Sequence, residues 1–244
     1  MKKSYKHNFY KDRHQGTIDA ANTILSLVID MIPEVRSGVD FGCGVGTWLS
    51  VLKERGADEV LGLEGSWVDE NLLKITKQEL SQVNFEEGVA LDKKYDIAIS
   101  LEVAEHLKSD TAPGFVEAIT NASDFVLFSA AIPFQGGTNH VNEQWPDYWI
   151  ELYEARGYCL IDFIRMKIWD DDSIPFWYKQ NILMFVKEDR VKDLVLPDPA
   201  SIRFPVSVVH PEAYLSKMKK MNSVRGSLKL FPRAVKNWLK NKIL

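Results

Sequence analysis

Ten residues constrain this chain more than any others: Val39-Asp40-Phe41-Gly42-Cys43-Gly44-Val45-Gly46-Thr47-Trp48. A short apolar run enters three alternating glycines and leaves into an apolar-periodic segment. That order reads as a strand, a sharp turn and a helix. Glycine tolerates positive φ and carries no Cβ, so the turn can pass close beneath a ligand. The helix beyond it opens with unpaired N–H groups. Eighteen residues after Gly46, closing the next strand, stands Glu64, where a carboxylate can accept hydrogen bonds from ribose hydroxyls. A nucleotide-binding αβ unit is therefore the expected nucleus of the fold.

The rest of the pattern extends that unit. Residues 17–31 place Ile18, Ala21, Leu25, Val28 and Ile29 at helical spacing, with Pro33 as the stop. A helix is predicted over 46–55 with Gly56 just past its end, and a strand over 59–64. A helix is expected over 68–80 with acids in its first turn, followed by a weak strand at 83–85. YDIAIS (95–100) and DFVLFSAAI (124–132) read as buried strands, separated by a helix capped by Thr111 and carrying Phe115, Ala118 and Ile119 on one face. Pro146 suits the first turn of a further helix, closed by Gly157. YCLIDFI (158–164) and NILMFVK (181–187) are the last strands. The stretch WDDDSIPFWY between them reads as a loop, so they are expected to pair antiparallel at one edge. Strands alternating with helices predict a doubly wound α/β domain.

Composition narrows the class. A chain of 244 residues, 45% hydrophobic, makes one core with appendages. Two cysteines, Cys43 and Cys159, exclude a disulfide scaffold and a cysteine-rich zinc module. The basic start lacks the apolar stretch of a secretory signal, and no apolar run reaches the ~18 residues of a membrane span. The expected location is cytoplasmic. Charge is uneven: residues 217–244 hold nine basic side chains and no acidic one, whereas residues 1–216 carry a balance of −13. An acidic body speaks against a nucleic-acid partner.

The glycine spacing selects the ligand. A nicotinamide fingerprint, G-x-G-x-x-G, would need a third glycine where Thr47 stands; this chain has G-x-G-x-G. Asp40 just before the turn would be a poor neighbour for a pyrophosphate but suits a cation. S-adenosylmethionine, with an amine, a sulfonium and no phosphate, fits that rim.

VDFGCGVGTWL, GLEGSW and YDIAISLEVAEHL resemble the motifs of class I S-adenosylmethionine-dependent methyltransferases over about residues 35–187. The resemblance implies a Rossmann-like, seven-stranded sheet of order 3-2-1-4-5-7-6 with strand 7 antiparallel. It implies a cofactor site of Asp40, Gly42, Cys43, Gly44, Gly46, Thr47, Trp48, Glu64, Gly65, Ser100 and Leu101. It also implies an adenine contact in Phe85-Glu86-Glu87-Gly88, with Glu87 as the expected residue, although an aspartate often found there is missing.

Two clusters stand beyond the strand ends, where ligands bind in such sheets. The first is Glu102-Val103-Ala104-Glu105-His106. If it forms a helical turn, Glu102, Glu105 and His106 share a face. Either His106 is a general base oriented by Glu105, or the group holds a Mg or Mn ion that lowers the acceptor's pKa. The second is Gly136-Gly137-Thr138-Asn139-His140-Val141-Asn142-Glu143-Gln144-Trp145, in which His140 is the alternative base or a fourth metal ligand. E-x-x-E-H with a later histidine is similar to metal-dependent small-RNA 2′-O-methyltransferases. GGTNHVNEQWPDYW, WYKQNILMFV and VSVVHPEAYL look more like bacterial methyltransferases associated with surface-polysaccharide assembly. The expected reaction is O-methylation of a sugar or sugar-linked group. An RNA 2′-O-methyltransferase and a nicotinamide-dependent oxidoreductase are the alternatives.

The expected organisation is a helical cap (1–34), the methyltransferase core (35–187), an extension (188–226) and a basic amphipathic helix (227–244). In that last helix Phe231, Val235, Trp238, Leu239 and Ile243 share one face, with Arg233, Lys236, Lys240 and Lys242 on the others. Such a helix is expected to hold the enzyme at an anionic membrane surface, the inner face where lipid-linked glycans are assembled. Packing against the acidic body is the alternative.

Overall fold

A computed structural model describes residues 7–32, 34–195 and 206–221, together with 223, 224, 226, 228, 231, 232 and 235. The chain divides into two compact units, residues 1–207 and 208–244.

The first unit is a seven-stranded sheet with helices on both faces. Its strands are β1 (Ser37–Phe41), β2 (Glu59–Glu64), β3 (Leu80–Gln82), β4 (Ile97–Leu101), β5 (Phe125–Ser129), β6 (Tyr158–Ile161) and β7 (Leu183–Lys187). Their spatial order is β3-β2-β1-β4-β5-β7-β6. β1 to β5 run parallel, and β7 lies antiparallel to both β5 and β6, as the resemblance implies. Thus β6 is the outer strand, and β7 is buried between its neighbours.

Period-two alternation divides the core between the faces. Ile97, Ile99, Leu127, Met184 and Val186 point into one layer. It is filled by Ala20, Ile24, Leu25 and Val28 of α1 (His7–Ile29), by Leu49 and Leu52 of α2 (Thr47–Glu54) and by Ile164 and Ile168 of α5 (Ile164–Ile168). Ala98, Val126, Phe128, Leu183 and Phe185 point into the other, against Phe115, Val116 and Ile119 of α3 (Ala112–Ala122) and Trp149 and Tyr153 of α4 (Pro146–Glu154). Tyr153 stacks on Phe185 with ring centroids 3.9 Å apart.

Four local readings change. Residues 68–80 form no α-helix; they make two 3-10 turns, Glu70–Leu72 and Lys77–Glu79, leading straight into β3. The Lys74 N–H donates to the Val45 carbonyl, and Ile75 packs beneath Gly46, so the glycine turn captures a segment whose own spacing favours a helix. The third strand accordingly lies at 80–82, before the expected 83–85. The linker before β7 is not all loop, because α5 is followed by α6 (Phe176–Asn181), which buries Tyr178, Lys179, Gln180 and Asn181. Thr111 occupies the N-cap position of α3 but makes no cap bond; its hydroxyl donates to the Lys108 carbonyl. Pro33 lies outside the described residues.

In the second unit the described helix is α7 (Pro211–Met221), which buries none of its own residues. Most of the predicted basic helix at 227–244 falls outside the described residues. Among the described residues no helix is long and apolar enough to cross a membrane.

Candidate active site

The carboxyl ends of β1, β2 and β4 lie side by side, with Phe41 level with Leu63 and Asp40 level with Ile99. The glycine turn leaves β1 there. Gly42, Gly44 and Gly46 all have positive φ, at 90°, 57° and 81°. Two of them are also required by the protein's own packing. A Cβ on Gly42 would sit 2.4 Å from a Val103 methyl, and one on Gly46 would sit 2.7 Å from Ile75. The turn is closed by Gly42 N–H donating to the Leu63 carbonyl (2.8 Å) and Gly46 N–H to that of Cys43 (2.8 Å).

Glu64 locks the turn to β2. Its Oε2 accepts from the Gly44 N–H at 2.8 Å and its Oε1 from the Gly65 N–H at 2.7 Å. Trp67 folds back over this point: a Cβ on Gly65 would be 2.1 Å from its ring, and its side chain hydrogen-bonds Glu64. Burial raises the Glu64 pKa, and these donors offset part of the rise. Three donors leave about one of the carboxylate's lone-pair sites for a ribose hydroxyl. Asp40 is buried beside it. Desolvation, then the Glu64 charge, hold its carboxyl well above the usual range. A bound cation would relieve both.

The remaining cofactor candidates differ in placement. Thr47 and Trp48 open α2, but the Trp48 indole lies in the core, edge-on to Tyr178 at 5.4 Å. Cys43 is buried with its thiol pKa pushed up, so it is inert as a nucleophile. Ser100 and Leu101 end β4, and the buried Ser100 hydroxyl has no hydrogen-bond partner. Glu87 is exposed and accepts from Asn84 Nδ2 at 2.7 Å.

On the acceptor side, Glu102 follows β4 at φ 57°, and Ala104–His106 form a single 3-10 turn. That turn does not put all three candidates on one face. Glu102 points to a separate polar network, accepting from Asn181 Nδ2 and Gln135 Nε2 at 3.0 Å each; Gln135 also accepts from Gln180 Nε2. The three groups brought together are Glu105, His106 and His140, with ligand atoms all within 4.8 Å of one another. The two imidazoles meet edge to face at 4.8 Å.

Glu105 is the unusual member. It is wholly buried, and neither carboxyl oxygen has a hydrogen-bond partner of ordinary geometry. Its pKa is held well above the usual value by desolvation, then by the Glu102 charge; the N–H groups of Glu105 and Ala131 offset only part. Its backbone carbonyl accepts from Val141 N–H (2.9 Å) and Asn142 N–H (3.0 Å), which ties the His140 loop to β4. His106 has its pKa lowered by burial and by His140, so it is neutral near pH 7, and its ring bonds to the Asn139 carbonyl. His140 Nε2 lies 3.9 Å from Glu105 Oε1, while its Nδ1 is 3.0 Å from Glu143 Oε1.

Residues 13–161 match the family described as a methyltransferase domain. The chain belongs to that family. It is thus a methyltransferase, and the nicotinamide alternative falls away. No curated protein matches the chain. Solved structures with the same fold include magnesium protoporphyrin IX methyltransferase from Synechocystis PCC 6803 with bound S-adenosylhomocysteine, at 18% identity and a TM-score of 0.52, covering 75% of this chain and 90% of that one. CalS10 from Micromonospora echinaspora, an amino pentose methyltransferase, is similar at 11% identity and a TM-score of 0.53, with 76% and 99% covered.

Residue reasoning left Trp67, Gln135, Gln180 and Asn181 without roles and singled out His140 without its partner Glu143. The signals were present: Trp67 lies three residues from Glu64, and His140 and Glu143 are three apart.

Proposed function

We propose that this methyltransferase O-methylates a sugar or sugar-linked acceptor, with S-adenosylmethionine as donor. The observation that carries the reading is the Glu105–His106–His140 cluster beyond the ends of β4 and β5, in the same row of strand ends as the glycine turn. S-adenosylmethionine supplies a methyl group already activated by its sulfonium. The protein has to bind, orient and take one proton. Gly44 and Glu64 would hold the nucleoside end, and Asp40 would offer its carboxyl to the amine. When the acceptor hydroxyl oxygen takes the methyl group and the carbon–sulfur bond breaks, the hydroxyl proton would pass to an imidazole, His106 or His140. The Gln135 amide and the Glu102 carboxylate, both braced by the buried Gln180 and Asn181, and the 80% exposed Phe134 ring suit a hydroxyl-rich ligand with apolar faces.

A second reading has a specific observation in its favour. The orphaned oxygens of Glu105, between two neutral-capable imidazoles, fit a Mg or Mn ion, with Glu105, His106 and His140 as ligands and Glu102 outside the set. Such an ion would lower the acceptor's pKa. The acidic body disfavours an RNA acceptor.

Mass spectrometry of the purified protein should find an S-adenosyl ligand, and methyl transfer should be screened against nucleotide sugars and lipid-linked glycans. Full activity after exhaustive chelation supports the histidine base; loss restored by Mn²⁺ supports the ion. We also propose that the basic tail docks on anionic lipid. Salt-sensitive pelleting with anionic vesicles by the full chain, absent in a chain ending at Gly226, is the expected result; equal pelleting of both refutes it.

A further inference from the structure

We propose that Glu143 is the positioning residue of this site: its carboxylate fixes His140 as the Nδ1–H tautomer and aims the bare Nε2 at Glu105. The inference rests on the reading of His140 as a working histidine.

Three donors converge on this one carboxylate. Oε1 accepts from the Gly136 N–H at 2.7 Å and lies 3.0 Å from His140 Nδ1; Oε2 accepts from the Phe134 N–H at 2.8 Å. An ionised carboxylate only accepts, so the His140 nitrogen facing it carries the proton. In a neutral imidazole the other nitrogen then holds a lone pair. That nitrogen, Nε2, is 3.9 Å from Glu105 Oε1, beyond hydrogen-bond reach, and so is open to an acceptor proton or an ion.

The loop is shaped to serve this contact. Phe134, Gly136 and Asn139 all have positive φ, and the Phe134 backbone is strained there. The Phe134 and Gly136 N–H groups are the ones Glu143 gathers, so one side chain holds both the bend and the ring. Gly137 leaves the space for it: a Cβ there would lie 2.0 Å from His140 Nε2. On the far side, Val141 and Asn142 are pinned to the Glu105 carbonyl. His140 is therefore oriented between two anchors, and Glu143 is the one that touches the ring.

The test is ¹⁵N NMR of the histidine side chains in the full chain, with the His140 signal assigned by its loss in His140→Asn. In the native protein Nδ1 should be protonated and Nε2 bare. In Glu143→Ala the Nε2–H tautomer should appear, methyl transfer should fall about 10–100-fold, as for loss of an orienting partner, and S-adenosylhomocysteine affinity should stay within about twofold. Glu143→Gln, whose amide oxygen can still accept from Nδ1–H, should keep the tautomer and recover most of the rate; it also serves if the alanine variant misfolds. A bare Nδ1 in the native protein, or an unchanged tautomer in Glu143→Ala, overturns the proposal. Unimpaired transfer in His140→Asn overturns the reading beneath it instead.

Discussion

The two halves of the site hold their backbones in opposite ways. On the cofactor side, positive φ falls on Gly42, Gly44 and Gly46, where it costs little. On the acceptor side it falls on Asn139, which tolerates it, and on Glu102 and Phe134, where it costs about 1–2 kcal/mol each. The carboxylates differ in the same sense. Glu64 spends both oxygens on backbone N–H groups at ordinary geometry, whereas neither buried Glu105 oxygen has a partner of that quality. The first half is a fixed cradle made by residue type. The second is held in shape by side-chain bonds and keeps one polar group unsatisfied, as expected where the ligand must complete the site.

Variants can break that contrast. The largest effect is expected from His140→Ala, about 10²–10⁴-fold in turnover with cofactor affinity nearly unchanged; equal losses in both would merge the two halves into one. The next concerns sign. Asp40 has its pKa raised in the folded state by burial, then by Glu64, so its stability contribution is full below the unfolded value near pH 4 and is lost as pH rises through the folded value. Asp40→Asn should therefore gain thermal stability over the native chain as pH rises, while binding S-adenosylhomocysteine more weakly. Parallel melting curves at all pH values would remove Asp40 from the cradle. Gly44→Val, a β-branched residue at φ 57°, should cost about 1–2 kcal/mol and weaken cofactor binding, read by calorimetry. Phe134→Gly is the smallest and runs the other way. Relief of strain should raise stability by up to about 1 kcal/mol, at the expense of acceptor affinity. A destabilised Phe134→Gly would mean that the loop is not strained.

The strand, glycine turn and helix around Glu64 were legible because their signals are local. Alternating glycines, a following helix and an acid at the next strand end are adjacent in the chain, and packing has not displaced them. Most strands were legible for the same reason, being apolar runs long enough to cross the core; β3 was not, because Leu80-Ser81-Gln82 is neither apolar nor buried. Residues 68–80 were misread because Val68, Leu72 and Ile75 do follow helical spacing, yet Ile75 is claimed by the glycine turn. The acceptor half was only partly legible. His106 and His140 meet through a contact between loops after different strands, which no spacing encodes. The direction of Glu102 depends on a positive φ that a glutamate rarely takes, so reasoning from a helical face put it with Glu105, when it bonds Asn181.

The position of β7 has a consequence for synthesis. Among the described residues it is the last strand in sequence, yet it fills an interior slot between β5 and β6. Until residues 183–187 leave the ribosome, β5, whose sequence is FVLFS and whose five residues all become buried, presents an open edge. A nascent or truncated chain ending in α6 thus carries a flat apolar strand ready to pair with another copy. Aggregation of such fragments, and rescue by residues 183–187, would reflect the order in which the sheet is completed.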